Sequence, residues 1–180
     1  NPTLLLLFGL GIILQTSFTG VWTYIPFHLL EPPFSMSLDA ISLLYFAYAF
    51  GIIGAPVAGW LSGRLGLKKV RMIAIFIMTV GILCTLSESI IGVVIGLCIL
   101  CFGFFTSHSL AASTVSRTAK HQKGSASSLY LVSYYIGVAC GSTLLSPLWN
   151  NGSWLVFALL TALLPVLYLG LLMGFLKDTQ

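Results

Sequence analysis

Apolar residues fill this chain in six long stretches, each closed by a short polar break. They run approximately over Leu4–Leu30, Leu38–Leu61, Val70–Leu86, Ile90–Val115, Ser125–Ser146 and Trp154–Leu176. A helix needs about 20 mostly apolar residues to cross a hydrocarbon core, and only the third stretch sits at the lower limit. Strands of a membrane barrel would instead show short segments of alternating polarity. The pattern predicts an all-α protein with six membrane-spanning helices.

The breaks have the chemistry of helix ends. Glu31–Asp39, EPPFSMSLD, holds two prolines that cannot continue a helix, then Ser37 or Asp39 as the N-cap of the second span. Ser87–Ser89 and Asn150–Ser153 are short polar turns. Asn151-Gly-Ser also matches the N-glycosylation pattern, a match of little specificity.

Composition says what the stretches face. Charged residues are 7% of the 180 and apolar residues 58%, and the mean hydropathy is +1.03. A soluble domain carries about 25% charged residues to cover its surface. This surface therefore meets lipid, and the protein is integral to a membrane.

The few charges are sorted by side. Arg64, Lys68, Lys69 and Arg71 lie between spans two and three, Arg117, Lys120 and Lys123 between four and five, and Lys177 after span six. All eight cations thus fall on one face of the membrane, while Glu31, Asp39 and Glu88 lie on the other. The positive-inside rule places both termini in the cytoplasm. The isoelectric point near 9.0 reflects cations set against phospholipid headgroups rather than a nucleic-acid partner, which would need them spread over a binding face.

Cysteine carries little chemistry here. Cys98 and Cys101 form a C-x-x-C, but no second pair or spaced histidines accompany it, and Cys84 and Cys140 also lie in apolar runs. They read as small packing residues, with no metal site. No nucleotide-binding loop appears, so no cofactor is expected. The chain begins at Asn1 with no methionine and no basic, cleavable leader, which leads to the expectation that this is the middle of a longer gene product.

Half of the cations crowd into one loop, Gly59–Arg71, GWLSGRLGLKKVR. Gly63 and Gly66 are expected to supply positive φ for a tight reversal, and the cations suit the C-terminal end of the second helix, where the helix dipole favours positive charge. The loop resembles the signature of the major facilitator superfamily, G-x-L-a-D-R-x-G-R-R-[RK], with Gly59, Leu61, Ser62, Arg64, Gly66, Lys68 and Lys69 in register. Gly63 stands where the family has its acid and Leu67 where it usually has a cation, so the resemblance does not extend to a charge-relay role of that acid in gating. The resemblance covers essentially the whole chain. It is to the C-terminal six-helix half, in the drug:proton antiporter branch of YnfM- and AraJ-type carriers.

That resemblance implies a six-helix bundle of two inverted three-helix repeats, about residues 1–87 and 88–180, in the bacterial inner (plasma) membrane. It implies secondary active transport of a small solute by alternating access, with efflux coupled to protons. The partners implied are the lipid bilayer, the small-molecule substrate, and an N-terminal six-helix half or a second copy of this chain. It also assigns faces: spans one and four line the cavity, two and five meet the other half, and three and six face lipid.

The residues can be set beside that scheme. Gln15, Thr16, Thr19 and Thr23 form a polar stripe on span one, and Thr106, Ser109 and Ser113 form one on span four. Both are candidates for the substrate cavity, the alternative being hydroxyls bonded back to their own helix. His108 is the titratable residue near mid-membrane, and at 100° per residue it points away from the span-four stripe. It reads as a histidine hydrogen-bonded between helices, with a proton-carrying role as the alternative. Small residues recur at Ala47, Gly51, Ala55 and Gly59 on span two and at Ser133, Gly137 and Gly141 on span five. These stripes suit close packing, either against the other half or within the bundle.

Two other classes fit six spans less well. An intramembrane protease needs a serine with a base in reach, and His28 and His108 are the histidines near spans. A channel would need a filter sequence or paired N-P-A motifs, which the chain lacks. The amide, the hydroxyls and aromatics such as Trp22, Tyr24 and Tyr134 suit a neutral polar or lipophilic solute. Single cysteines at Ser62 and Thr118 should react with an impermeant thiol reagent only from the cytoplasm, and one at Asn150 only from outside. Reaction of the Asn150 cysteine from the cytoplasm would overturn the orientation.

Overall fold

The fold was obtained as a computed structural model, which describes residues 1–119 and 121–177, with side chains to 174. Among the described residues the secondary structure is entirely helical. Helix α1 spans Pro2–Leu30, begun by Asn1, whose Oδ1 accepts the Thr3 N–H at 3.0 Å, with Pro2 in the first turn where its missing N–H costs nothing. Helix α2 runs over Leu38–Leu65, capped by the Ser37 hydroxyl accepting from Ala40 N–H and passing through a 3₁₀ stretch at Leu43–Tyr48. Helix α3 is Leu67–Cys84 and α4 is Ile90–Thr118. Helix α5 occupies Lys123–Asn151 with a π turn at Cys140–Leu144, and α6 is Trp154–Lys177.

Five of these, α1, α2, α4, α5 and α6, are long and apolar enough to cross a membrane. The exception is α3, at 18 residues. It begins three residues earlier than its apolar run, so Lys68, Lys69 and Arg71 stand in its opening turns. The reversal before it is a single residue, Gly66, at φ 83°, which donates its N–H to Ser62 O at 3.0 Å and accepts from Val70 N–H at 3.2 Å. Gly63, expected to share that turn, lies inside α2 with open space around it.

Helices α1 and α4 form the centre. The most extensive contact joins α3 to α4; α1 packs on α5, α6 and α4, and α4 also on α2 and α5. Large side chains fill the centre, with Leu7, Leu10, Leu14, Ile25, Leu97, Leu100, Phe104 and Phe157 fully buried. Helix α2 buries only a narrow stripe, Ile41, Leu44, Ala47, Gly51, Gly54 and Ala58, and α5 another, Ala126, Tyr130, Ser133, Gly137, Gly141 and Leu145. Their other faces show Phe46, Phe50, Ile52, Leu129, Leu131 and Tyr135.

Glycine sets how closely the helices meet. A methyl group at Gly81 of α3 would meet the Leu100 backbone, and one at Gly96 of α4 would come within 2.8 Å of Gly81 O. Gly103 faces Ala74 O and Met78 in the same way. On the other side, added methyls at Gly137 and Gly141 would stand 2.6 Å from Ile12 O and Thr16 O of α1. Lipid supplies no hydrophobic drive between helices, so such backbone contacts carry the association.

Gly81→Leu should therefore force α3 off α4 and lower unfolding stability by about 1–3 kcal/mol. Gly63→Ala, which meets nothing and removes a flexible residue from a helix, should raise it by about 0.5–1 kcal/mol. Thermal unfolding of the two variants in detergent checks both signs.

Candidate functional site: a polar cleft beside the first helix

Gln15, Thr19 and Thr23 recur every fourth residue, which brings them to one face of α1. They line a cleft of about 380 Å³ among α1, α2, α4 and α5. Gln15 Nε2 donates to Thr19 Oγ1 at 2.8 Å, while Gln15 Oε1 is buried without a partner. Thr16, the fourth member of the predicted stripe, faces α5 instead: its hydroxyl donates to Ile12 O at 2.8 Å and lies 3.4 Å from Gly137 O.

The cleft walls are aromatic. Phe18, Trp22, Tyr45, Tyr48, Phe105 and Tyr134 line it. In a 3₁₀ helix residues three apart lie on the same side. The 3₁₀ stretch of α2 thus carries Tyr45 and Tyr48 to the same neighbour, with Trp22 5.0 Å from one ring and 4.7 Å from the other. Phe18 stacks on Phe104 at 3.9 Å, holding α1 to α4 below the cleft.

The predicted span-four stripe lies elsewhere. Thr106 is 3% exposed and donates to Phe102 O at 2.7 Å and Gly54 O at 3.2 Å, joining α4 to α2. Ser109 and Ser113 are half-buried and do not line the cleft, and the Ser113 hydroxyl donates to Leu110 O at 3.1 Å. Phe105 is the α4 residue at the cleft, with His108 behind it. The His108 Nδ1 is 3.1 Å from Tyr130 OH, and its ring stacks on Phe104 at 5.7 Å and lies 5.1 Å from Tyr134. It is thus a hydrogen-bonded link between α4 and α5, and its partner is a phenol rather than a serine.

Of the two placements open to the small-residue stripes, packing within the bundle accounts for most of them. Ser133, Gly137 and Gly141 are buried, the two glycines directly against α1, so that stripe is used inside the bundle. Gly51 is buried against Phe105 of α4, whereas Ala55 and Gly59 of α2 are exposed. In the basic loop, the Arg64 guanidinium sits 4.1 Å over the Trp60 ring, Gly66 makes the turn, and Lys68 and Lys69 are exposed. Arg71 departs from the headgroup role expected of the cations. It is 5% exposed and donates from Nη2 to Thr114 Oγ1 at 2.9 Å, with Nε unpartnered. Lys120 and the side chain of Lys177 lie outside the described residues.

Sequence reasoning missed Tyr45, Tyr48 and Phe105. The i, i+3 spacing of the two tyrosines was a visible signal, but aromatic residues are common along every span. Tyr24, grouped with the cavity aromatics, instead donates to Ser142 O at 2.8 Å, a carbonyl of the π turn. Among the described residues no three His, Cys, Asp or Glu side chains gather as a metal ion would require.

Apolar helices packed through glycine around a polar, aromatic-walled cleft are the build of a helical membrane carrier. The chain belongs to the Major Facilitator Superfamily, whose family model matches residues 7–180. It is 36% identical over 173 residues to an uncharacterized transporter of Buchnera aphidicola subsp. Schizaphis graminum, covering 91% of this chain and 42% of that protein. It is 37% identical over 149 residues to the inner membrane transport protein YnfM of Escherichia coli, covering 83% of this chain and 36% of YnfM. The uncharacterized MFS-type transporter YybF of Bacillus subtilis is 35% identical over 161 residues, covering 89% of this chain and 40% of YybF. The chain thus spans about two fifths of the length of the curated relatives it matches. No solved structure matches it significantly.

With the four native cysteines replaced, a cysteine at Thr19 or Thr23 should react readily with a water-soluble thiosulfonate. One at Thr16 or Thr106 should be protected by the helix contact that buries it. Equal reaction at all four positions would remove the distinction between cleft and interface.

Proposed function

We propose that the chain is one half of a secondary transporter, the C-terminal bundle of six spanning helices, in a bacterial inner membrane with both termini cytoplasmic. Helix α3 is then the remaining span: 18 residues at 1.5 Å each reach about 27 Å, close to the ~30 Å of a hydrocarbon core. The pairing of contacts supports two inverted three-helix repeats. Exchanging α1 with α4, α2 with α5 and α3 with α6 maps α1–α5 onto α4–α2 and α1–α6 onto α4–α3, and both members of each pair are in contact.

The cleft carries the reading of transport. Gln15 leaves a buried oxygen without a donor beside aromatic walls, and a buried acceptor left unpaired costs about 1–3 kcal/mol. A solute with a hydroxyl or amide donor would satisfy it, while Trp22, Tyr45 and Phe105 cover an apolar body. Among the described residues no charged side chain lines the cleft, and the substrate class that suits it is a small neutral polar or lipophilic molecule. Export in exchange for protons follows the antiporter branch that the sequence resembles. Asp39 stands in the opening turn of α2 and no other Asp or Glu lies within a span, so the proton-carrying acids belong to the rest of the transporter, and His108 serves as an interhelical bond.

Alternating access needs two bundles rocking about a shared cleft, and this chain supplies one. The exposed apolar faces of α2 and α5 suit that second bundle, an N-terminal half or another copy of the chain. Reconstituted in liposomes as a monomer, the chain should carry no saturable flux; joined to an N-terminal half, it should. In the joined protein Gln15→Ala should weaken apparent substrate affinity by about tenfold, the worth of one buried hydrogen bond. Thr79→Ala should change little, because that hydroxyl already donates to Ile75 O at 2.9 Å on its own helix. Saturable flux from the monomer, or equal and negligible effects of the two substitutions, would sink the proposal.

A further inference from the structure

A second cavity lies at the opposite end of the bundle from the basic loops. It has a volume of about 780 Å³ and is formed where the end of α1, the α3–α4 turn and the α5–α6 turn meet. All three segments belong to this chain, so the cavity needs no other half to complete it. Nothing in the transport cycle proposed above uses it.

Its electrostatics have one sign. Glu31 and Glu88 are exposed at its rim and line it, and Asp39 follows in the same polar break as Glu31. The three segments carry no lysine or arginine, every one of which lies at the other end or in the loop following α4. Two carboxylates with no lysine or arginine in the segments that form it make the cavity attractive to cations and unfavourable for phosphate or carboxylate groups.

Its walls are rigid and aromatic. Trp154 is held between His28 at 5.0 Å and Phe157 at 5.4 Å, both nearly parallel to it, and donates Nε1 to Thr85 O at 3.1 Å. Phe34 stands across His28 at 74° and Trp149 across Trp154 at 72°. Trp154 is thereby fixed with its ring covered by neighbours, and Phe34 and Trp149 supply the further aromatic side chains that line the cavity.

The kind of cation follows from what is missing. A compact divalent ion demands several converging ligands, and among the described residues no three His, Cys, Asp or Glu side chains gather to supply them. A cation of low charge density needs only a negative field and aromatic faces. We propose that this outer cavity, lined by Glu31 and Glu88 together with Phe34 and Trp149, binds an organic ammonium group. The group could be carried by a free amine or by the headgroup of an ethanolamine lipid at the membrane surface.

Isothermal titration of the purified protein in detergent with benzyltrimethylammonium should give saturable binding. The double substitution Glu31→Gln with Glu88→Gln, and separately Trp149→Ala, should each weaken it by about tenfold or more. Gln15→Ala, in the other cleft, should leave it unchanged, so a failure of the transport reading and a failure of this one are separable. The glutamates are exposed, and an unchanged helical circular dichroism spectrum verifies that the variants fold. Absence of binding, binding indifferent to the glutamates, or displacement by equimolar calcium would overturn the proposal. Repeating the titration in nanodiscs distinguishes the two sources. Weakening by phosphatidylethanolamine relative to phosphatidylglycerol alone identifies the lipid headgroup, and equal affinity in both identifies a free amine.

Discussion

Because hydrocarbon offers neither water for a stray peptide group nor a hydrophobic force between helices, a bundle in lipid depends on direct van der Waals contact of helix backbones. That contact exists only where side chains are absent. Gly81, Gly96 and Gly103 provide it between α3 and α4, and Gly137 and Gly141 between α5 and α1. These seams set the distances at which the large residues interdigitate, including the Phe18–Phe104 stack at the centre. The cleft lies beside α2, whose 3₁₀ stretch contributes Tyr45 and Tyr48 to its lining.

Polar groups divide according to what can satisfy them. Thr79, Thr106, Ser133 and Thr161 each donate to a carbonyl one turn back on their own helix. Such hydroxyls are at home in apolar surroundings and imply no solute. Gln15 differs because an amide has two donors and an acceptor, and one neighbouring hydroxyl leaves the acceptor unmet. The π turn of α5 shows the reverse arrangement: a carbonyl freed by irregular backbone is taken up by the Tyr24 phenol. Backbone irregularity is thus matched by a side-chain donor in α5 and used to aim tyrosines in α2.

Charge is organised along the membrane normal rather than across the core. Lys68 and Lys69 are exposed at one end, and Arg64 rests on Trp60 there, while Glu31 and Glu88 edge an aromatic cavity at the other. Arg71 breaks this order. Its guanidinium is buried between α3 and α4 with the Thr114 hydroxyl as its hydrogen-bond partner. It sits there because the helix begins at Leu67, before the apolar run, so residue 71 falls on the same stripe as the core positions Ala74, Ile75 and Met78.

The sequence by itself determined the helices, their order and the separation of charge, because these depend on local hydrophobic length and on residues that stop helices. Pro32, Pro33 and Gly66 act through their own backbones, and the family signature around Gly59 and Arg64 reads from one short loop. The polar part of the cleft on α1 was legible for the same reason: Gln15, Thr19 and Thr23 share a face by spacing alone. Only the tertiary structure decided which face turns where. Thr106 and Ser133 are as polar in the sequence as Thr19, yet Thr106 lies against α2 and Ser133 is buried with its hydroxyl on its own helix, and Gly137 serves α1 rather than a separate bundle. Spacing reveals that residues lie on one side of a helix, but the neighbour on that side is fixed by contacts over a hundred residues apart, such as Gly137 on Ile12. Tyr45, Tyr48 and Phe105 reach the cleft through a local change of helix type and through packing, and neither leaves a periodic mark in an already apolar chain.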